Sequence, residues 1–494
     1  MHHYESYVAA QSQNNPCFAN IQRFLAESTP ERDTCRIASF DFVCNDAGSA
    51  DLRYCLLQPE DLVSAVCPLE DGLKGRILVV EDLSRDVVNT LGSTLEIDPL
   101  FFALHIHAPY RAISAQTPNL AMLPSRIRRQ NYVSVQYHRP LELPPQFGPE
   151  RKLVRATNVC RKVAVLPPTR NTCIGLVQHC CSIYFCEKTE NRAYWLCLIL
   201  ADPPISHNRL LISENENDRK SGVNLSIDIK HFLRGYEDFL SPVPVNPRMA
   251  AMQTLSREGL LGDLLYFWTR ELPANLDLDN PTLLSLSVYP LKIVAAEWNN
   301  YLAVMSYHIK KYEYLIQGQQ VDTQDLDKLN IDLDSLQTWR RRSLASQQKI
   351  AAIKLFLEHQ AKNRDKEYSE DIEDLSVDFT SIERNLNRYS ELLESMLPIV
   401  MSLFQVSDSR RSFLEAANVS RLTFLAFVFV PLSFTSSLFS MNSDIAPGGR
   451  NFWIYIVVAI LISAIVFLLA RLPANSFRWI MTRFRDPRQG ISPV

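Results

Sequence analysis

The sequence predicts an α+β domain followed by long helices and a C-terminal hairpin of two transmembrane helices. Leu422–Phe439 and Phe452–Ala470 are uncharged apolar runs of 18 and 19 residues. As helices that rise about 1.5 Å per residue, they can cross about 30 Å of hydrocarbon. Upstream, short alternating stretches favour strands, and the pattern becomes helical well after Pro203-Pro204. The predicted regions are an irregular N-terminal region (1–75), a cytosolic α/β domain (76–285), a long-helix and stalk region (286–421), the transmembrane hairpin (422–470) and a basic cytosolic tail (471–494).

Cationic residues flank the hairpin on one side, whereas its connecting loop carries only Arg450. Because Lys and Arg concentrate in cytoplasmic flanks, both termini are expected in the cytosol. The chain is thus predicted to be a multi-pass protein of a lipid bilayer. The flanking arginines are Arg410, Arg411, Arg421, Arg471, Arg478, Arg483, Arg485 and Arg488.

The composition excludes several classes of function. The net charge is −3, and the basic cluster Arg126–Arg129 is typical of a solvated loop, so no nucleic-acid partner is predicted. The eleven cysteines lie between Cys17 and Cys197 and are expected to stay reduced in the cytosol. No Gly-rich phosphate loop, HExxH or GxSxG motif occurs. Neither an enzyme nor a bound cofactor is therefore predicted.

The α/β region contains short alternating and apolar segments. Ile77–Val80 is predicted as a strand, and Glu81–Leu91 and Asp98–His107 as helices, with Pro99 suited to a first turn. Residues 1–75 give only a weak helical signal around Ile21–Glu27. The further predicted strands are Tyr132–Tyr137, Lys162–Leu166, Ser182–Cys186 and Ala193–Leu200.

Three long helices should follow: Leu291–Gln317, Asp325–Lys362 and a third that begins near Asp374. The third carries an apolar heptad stripe, typical of a coiled coil. Two interpretations stay open, and both can hold: the stripe packs against the two preceding helices, or identical copies associate around an axis. The stripe consists of Phe379, Ile382, Leu386, Tyr389, Leu393, Met396, Val400 and Leu403.

The two apolar runs differ in polarity. The second contains only Ser463, whereas the outer part of the first is rich in hydroxyl groups. Small hydroxyl residues can merely allow close helix packing. Alternatively, the first helix lines a pore, its carboxyl end presents partial negative charge, and Asn442 offers amide oxygens to a hydrated dication such as Mg²⁺. Asp444 would raise the local cation concentration. The polar residues are Ser433, Thr435, Ser436, Ser437, Ser440 and Asn442.

Val430–Phe434, followed by Met441-Asn442, a short loop and a final apolar helix, resembles the CorA family of divalent-cation transporters, whose motif is Pro-Leu-Thr/Ser-Phe ending in Gly-Met-Asn. The resemblance implies a homopentamer that conducts divalent cations, most notably Mg²⁺. It places Asn442 in an outer selectivity ring with Met441 and Ser440, lets Ser433 and Val430 line the pore, and makes Leu422 and Val419 an apolar gate. Asn442 and Asp444 are the candidate metal contacts. Stretches similar to fungal CorA-like proteins are Val79–Asp82, Asp98–Phe102 and Leu336–Arg342.

One residue departs from that motif, because Ser440 stands where the family has Gly. A Gly permits close approach and unusual backbone angles, and a Ser restricts both. The alternative hypothesis is therefore a non-conducting CorA-derived protein that serves as a membrane-tethered sensor or scaffold.

Overall fold

A computed structural model gives the fold of the chain in two compact units, residues 1–318 with 334–397 and residues 319–333 with 398–494. The residues it describes are 3–27, 35–44, 50–67, 72–107, 126, 130–144, 153–155, 157–159, 161–167, 173–189, 192–205, 210–212, 223–224, 229–240, 257–274, 276–317, 326–362, 370–440 and 451–471.

The described helices are α1 (His3–Ser12), α2 (Ala19–Ala26), α3 (Leu62–Val66), α4 (Arg85–Leu95), α5 (Pro99–Ile106), α6 (Leu260–Arg270), α7 (Leu283–Leu286), α8 (Val288–Gln317), α9 (Leu326–Lys362), α10 (Glu370–Phe439) and α11 (Phe452–Arg471). The strands are β1 (Arg36–Cys44), β2 (Ala50–Leu57), β3 (Leu73–Glu81), β4 (Tyr132–Leu143), β5 (Leu153–Arg155), β6 (Lys162–Val165), β7 (Cys173–Cys186), β8 (Trp195–Ala201), β9 (Leu210–Ile212), β10 (Val223–Asn224) and β11 (Lys230–His231). Short 3-10 turns cover Pro16–Phe18, Pro59–Asp61 and Phe232–Arg234.

The strands form one mixed sheet in the first unit, in the order β10-β9-β5-β6-β7-β8-β3-β1-β2. β4 pairs with β7 and β11 beside this path. β3 and β8 run parallel, whereas the other described pairs are antiparallel. The predicted hairpin of Ser182–Cys186 with Ala193–Leu200 is confirmed by β7 and β8, which pair from Cys181–Ala201 to Cys186–Leu196.

Residues 1–75 are not irregular over their described parts, which corrects the sequence prediction. β1 lies between β2 and β3 in the sheet, and α1 and α2 pack into the main hydrophobic core. Charged residues such as Asp41 made this region look irregular in the sequence, but the structure pairs such a charge within the sheet. Asp41 of β1 forms an ion pair with Arg76 of β3 at 2.6 Å, and the neighbouring Phe40 is fully buried.

Two helices predicted near β3 are present, and one begins later than predicted. α4 starts at Arg85 rather than Glu81, because Ser84 caps it by accepting a hydrogen bond from the Val87 amide at 3.3 Å. Asp82 adopts a left-handed φ of 61° just before this cap, so the chain cannot be helical there. α5 confirms the second helix, with Pro99 in its first turn.

The three long helices are confirmed as α8, α9 and α10. The part of the heptad stripe that lies in the first unit is buried, and Phe379 and Leu386 are 0% exposed. Polar contacts join this part of α10 to its neighbours. Lys292 of α8 pairs with Asp374 at 3.3 Å, and Lys354 of α9 pairs with Glu383 at 2.5 Å. Packing of the stripe within the chain is therefore confirmed for Phe379–Met396, and self-association stays a prediction.

A buried charge cluster holds α6 and α8 against the sheet. Arg139 of β4 contacts Asp263 of α6 at 2.6 Å and Glu297 of α8 at 3.0 Å, and all three side chains are at most 5% exposed. Arg257 adds a second guanidinium, 3.4 Å from Asp263. Burial raises the pKa of Glu297 to about 7, while Arg139 opposes the rise and the Asp263 carboxylate adds to it.

Glu297 predicts a stability that depends on pH. Its pKa is about 7 in the folded chain against an ordinary 4.5, so its contribution is full below pH 4.5 and is lost as pH rises through 7. Glu297→Gln should resemble the wild type near pH 5 and be relatively more stable near pH 8, by on the order of 3 kcal/mol. Thermal unfolding of the purified protein across pH 5–8 measures this. Glu394→Gln, an exposed member of an ion pair with Arg340, is the control; parallel curves for wild type and Glu297→Gln would contradict the prediction.

Gly92 of α4 predicts a second stability effect. A Cβ added there would collide with the ring of Tyr4, whose hydroxyl donates to the Ile97 carbonyl at 2.7 Å. Gly92→Ala should therefore push α1 away and destabilise the protein by about 1–3 kcal/mol, as overpacking does. Chemical denaturation measures the loss. Ser93→Ala, at an exposed neighbouring position, should change much less, and equal effects would show that the Tyr4 contact is unimportant.

Candidate functional site along helix α10

The C-terminal part of α10, from Pro398 to Phe439, lies in the second unit with α11. The helix continues through Pro398 and Pro431. Within the described residues, α10 is long and apolar enough to span a bilayer by length and composition, while Phe452–Leu468 of α11 is a shorter apolar stretch. No charged residue occurs from Leu422 to Phe439. The chemistry of this segment therefore rests on hydroxyl groups and backbone carbonyls.

One face of α10 packs against α11. Phe424 meets Phe467 with ring centroids 6.1 Å apart, and Phe439 meets Tyr455 at 6.0 Å. Pro431 and Thr435 are buried on this side. The Thr435 hydroxyl donates to the carbonyls of Pro431 at 3.0 Å and Leu432 at 2.9 Å, so it is used inside the helix. This hydroxyl is thus not available to an ion.

The opposite face carries an exposed stripe, which we call the outward stripe. Its members recur every three or four residues, so a helix of 3.6 residues per turn aligns them. All of them are exposed in the single chain. They are Val419, Leu422, Ala426, Val430, Ser433, Ser437 and Ser440.

The outward stripe brings together five of the predicted site residues. Ser433 and Ser440 lie at its carboxyl-terminal end, Val430 in its middle, and Leu422 and Val419 at its amino-terminal end. Its two ends therefore differ: one is hydroxylic and the other apolar. Met441, Asn442 and Asp444 lie outside the described residues.

The stripe also contains Ser437, which was not among the predicted site residues. It follows Ser433 by four positions and precedes Ser440 by three, a spacing that a helical wheel of the sequence would have revealed. Conversely, Thr435 was grouped with the polar residues of the first apolar run, and the structure separates it from them.

The serines of the outward stripe differ from Thr423 and Thr435 of the same helix in their bonding. The Thr423 hydroxyl donates to the Val419 carbonyl at 2.8 Å. Within the described part of the chain, the hydroxyls of Ser433, Ser437 and Ser440 make no hydrogen bond. Such groups are costly in hydrocarbon unless water or another chain satisfies them.

An apolar groove of about 430 Å³ runs between α10 and α11 next to the outward stripe. Ala426 and Val430 belong to both features. Pro431 lines the groove as well, at the position where α10 lacks a backbone N–H. The lining residues are Ala426, Phe427, Val430, Pro431, Phe434, Ile462 and Val466.

One family of known proteins matches the C-terminal part of this chain. Residues 279–472 match the family described as CorA-like Mg²⁺ transporter protein, a range that contains α7 to α11. The C-terminal region is similar to this family over that range. This region is therefore that of a membrane protein with apolar C-terminal helices, and its match is to transporters rather than to enzymes.

Two solved structures are similar to this chain at low identity. The CorA magnesium transporter from Methanocaldococcus jannaschii shares 11% identity, with a TM-score of 0.37, over 90% of this chain and 99% of that one. A full-length CmaX protein shares 13%, with a TM-score of 0.38, over 90% and 99% of the two chains. No curated protein matches the sequence.

Proposed function

We propose that this protein moves divalent metal cations, foremost Mg²⁺, across a membrane through a homopentameric pore lined by the outward stripe of α10. The observation that carries the proposal is the set of serine hydroxyls at positions 433, 437 and 440, exposed and without a hydrogen bond among the described residues. Several copies around one axis would let these hydroxyls meet water instead of lipid.

The order of residues along the stripe suits a cation pathway. Mg²⁺ takes oxygen ligands and sheds its water reluctantly, so a hydrated ion fits a ring of neutral oxygens. Leu422 and Val419, 66% and 61% exposed in the single chain, would form an apolar constriction that gates by dewetting. The membrane potential would supply about 2.3 kcal/mol per charge per 100 mV.

The remaining elements of the proposal come from the resemblance. Asn442, with Met441 and Ser440, would form the selectivity ring, and Asp444 would raise the cation concentration beside it. Both termini would lie in the cytosol, in line with the flanking arginines. We also propose that the chain belongs to a fungal-type branch of the family, in which Ser440 replaces the motif glycine.

The replacement of that glycine favours a second candidate function, a non-conducting sensor or scaffold. A side chain at position 440 restricts the backbone where the selectivity ring would form. The two functions differ in one measurable property, which is dication flux through the purified wild-type protein in liposomes. A wild-type protein without flux supports the second candidate.

Cysteine substitution tests which face of α10 meets water. In reconstituted protein, Ser433→Cys and Ser437→Cys should react with a membrane-impermeant thiosulfonate at least about tenfold faster than Thr435→Cys, because the stripe is hydrated and position 435 faces α11. Native cysteines end at Cys197, so peptide mass spectrometry assigns the label without ambiguity. Equal rates at the three positions would remove the pore from this face.

Asn442→Ala tests the selectivity ring. Uptake of Mg²⁺ into liposomes under an inside-negative potential should fall at least about tenfold or lose its preference over other dications, because the amide oxygens are gone. Thr435→Ala is the matched control and should conduct normally. A mass measurement in detergent must show that both variants keep the wild-type number of subunits. Selective, undiminished uptake by Asn442→Ala would contradict the assignment.

A further inference from the structure

A second exposed apolar stripe runs along α10 before its uncharged run begins at Leu422. We call it the back stripe, and its members are Ile399, Val406 and Phe413, which recur every seven residues and so share one face of the helix. They are 44%, 48% and 75% exposed in the single chain. Large apolar side chains that line up on one face mark a surface that is used for docking.

The back stripe continues the face of α10 that packs against α11. A step of eleven residues makes about three helical turns, so Phe413, Phe424 and Thr435 lie on the same face. Phe424 meets Phe467 of α11 with ring centroids 6.1 Å apart, and Thr435 is 1% exposed. One line along α10 is therefore covered by α11 in its second half, whereas the described residues leave much of its first half exposed.

The end of α11 lies close to the back stripe. The ring contacts between α10 and α11 show that the two helices are antiparallel, with Phe467 level with Phe424. α11 ends four residues later, at Arg471. At a rise of about 1.5 Å per residue, the chain leaves α11 about 10 Å from Phe413 along α10. Residues 472–494, which lie outside the described residues, therefore start beside the back stripe.

The sequence that follows α11 has an apolar pattern of its own. Four of its large apolar residues stand at positions i, i+3, i+4 and i+7, which is the spacing of an amphipathic helix. Trp479 and the arginines lie off this pattern. A helix continued at the same rise from Arg471 would bring the first of the four level with Phe413 and the last level with Val406. The four residues are Phe477, Ile480, Met481 and Phe484.

Neither neighbouring copies nor lipid account for the back stripe. Leu422 follows Phe413 by two and a half turns, so the back stripe lies opposite the outward stripe. In the pore that we propose, on which this step rests, the outward stripe faces the axis, and the back stripe faces away from the other copies of α10. Phe413 lies about 13 Å before the uncharged run, beyond a headgroup layer of about 5–7 Å.

We propose that residues 472–494 dock on the back stripe of their own chain, with the apolar residues of the segment against Phe413 and Val406. Both surfaces are apolar, and burying them against each other removes them from water. The arginines of the segment would stay on its opposite side, in contact with water. The segment thereby ties the end of α11 to the part of α10 that precedes its uncharged run.

Thiol labelling in detergent tests the docking. Val406→Cys should react with a maleimide at least about fivefold more slowly in the full-length chain than in a chain without residues 477–494, because the segment covers it. Met401→Cys is the matched control, since Met401 is 49% exposed, against 48% for Val406, and lies on another face of α10. Its rate should not depend on the segment. Native cysteines end at Cys197, so peptide mass spectrometry assigns the label.

A point variant in the full-length chain keeps the test decisive if the shortened chain folds poorly. Met481→Asp should raise the labelling rate of Val406→Cys to that of the shortened chain, because a carboxylate is costly in an apolar contact. Thr482→Asp, off the apolar spacing, should leave the rate unchanged.

A disulfide identifies the chain to which the segment belongs. Oxidation of a chain with Val406→Cys and Phe484→Cys should join the two peptides within one chain. A disulfide between two chains, labelling of Val406→Cys that is equally fast with and without the segment, or protection that appears only with anionic lipid vesicles would each overturn the proposal. Protection of Val406→Cys in a protein without cation flux would support the docking and count against the pore alone.

Discussion

The first unit depends on one buried guanidinium that is shared by two carboxylates. Arg139 belongs to the sheet, Asp263 to α6 and Glu297 to α8, so loss of Arg139 would leave two buried carboxylates without this guanidinium. α8 in turn carries Lys292, which pairs with Asp374 of α10. The placement of the long helices on the sheet is therefore specified by charge as well as by apolar packing. The raised pKa of Glu297 is the consequence of this dry environment.

The apolar part of α10, from Leu422 to Phe439, contains hydroxyl groups but no charges. Thr423 and Thr435 satisfy their hydroxyls on carbonyls of their own helix. The serines of the outward stripe do not do so within the described residues, and they lie opposite the face that α11 covers. The pore that we propose would place these serines against water instead of lipid. Ala426 and Val430 of the stripe also line the apolar groove beside α11.

The elements that could be predicted from the sequence are those with a repeating local pattern of apolar residues. The heptad stripe from Phe379 to Met396 and the alternation in β7 and β8 each repeat a local pattern, and local patterns are legible in one sequence. The prediction that residues 1–75 are irregular was wrong. Asp41 interrupts the apolar pattern of strand β1 in the sequence, and in the structure this charge is paired with Arg76. The Arg139 cluster was not predicted at all, since Arg139 and Asp263 lie 124 positions apart and only the fold brings them together.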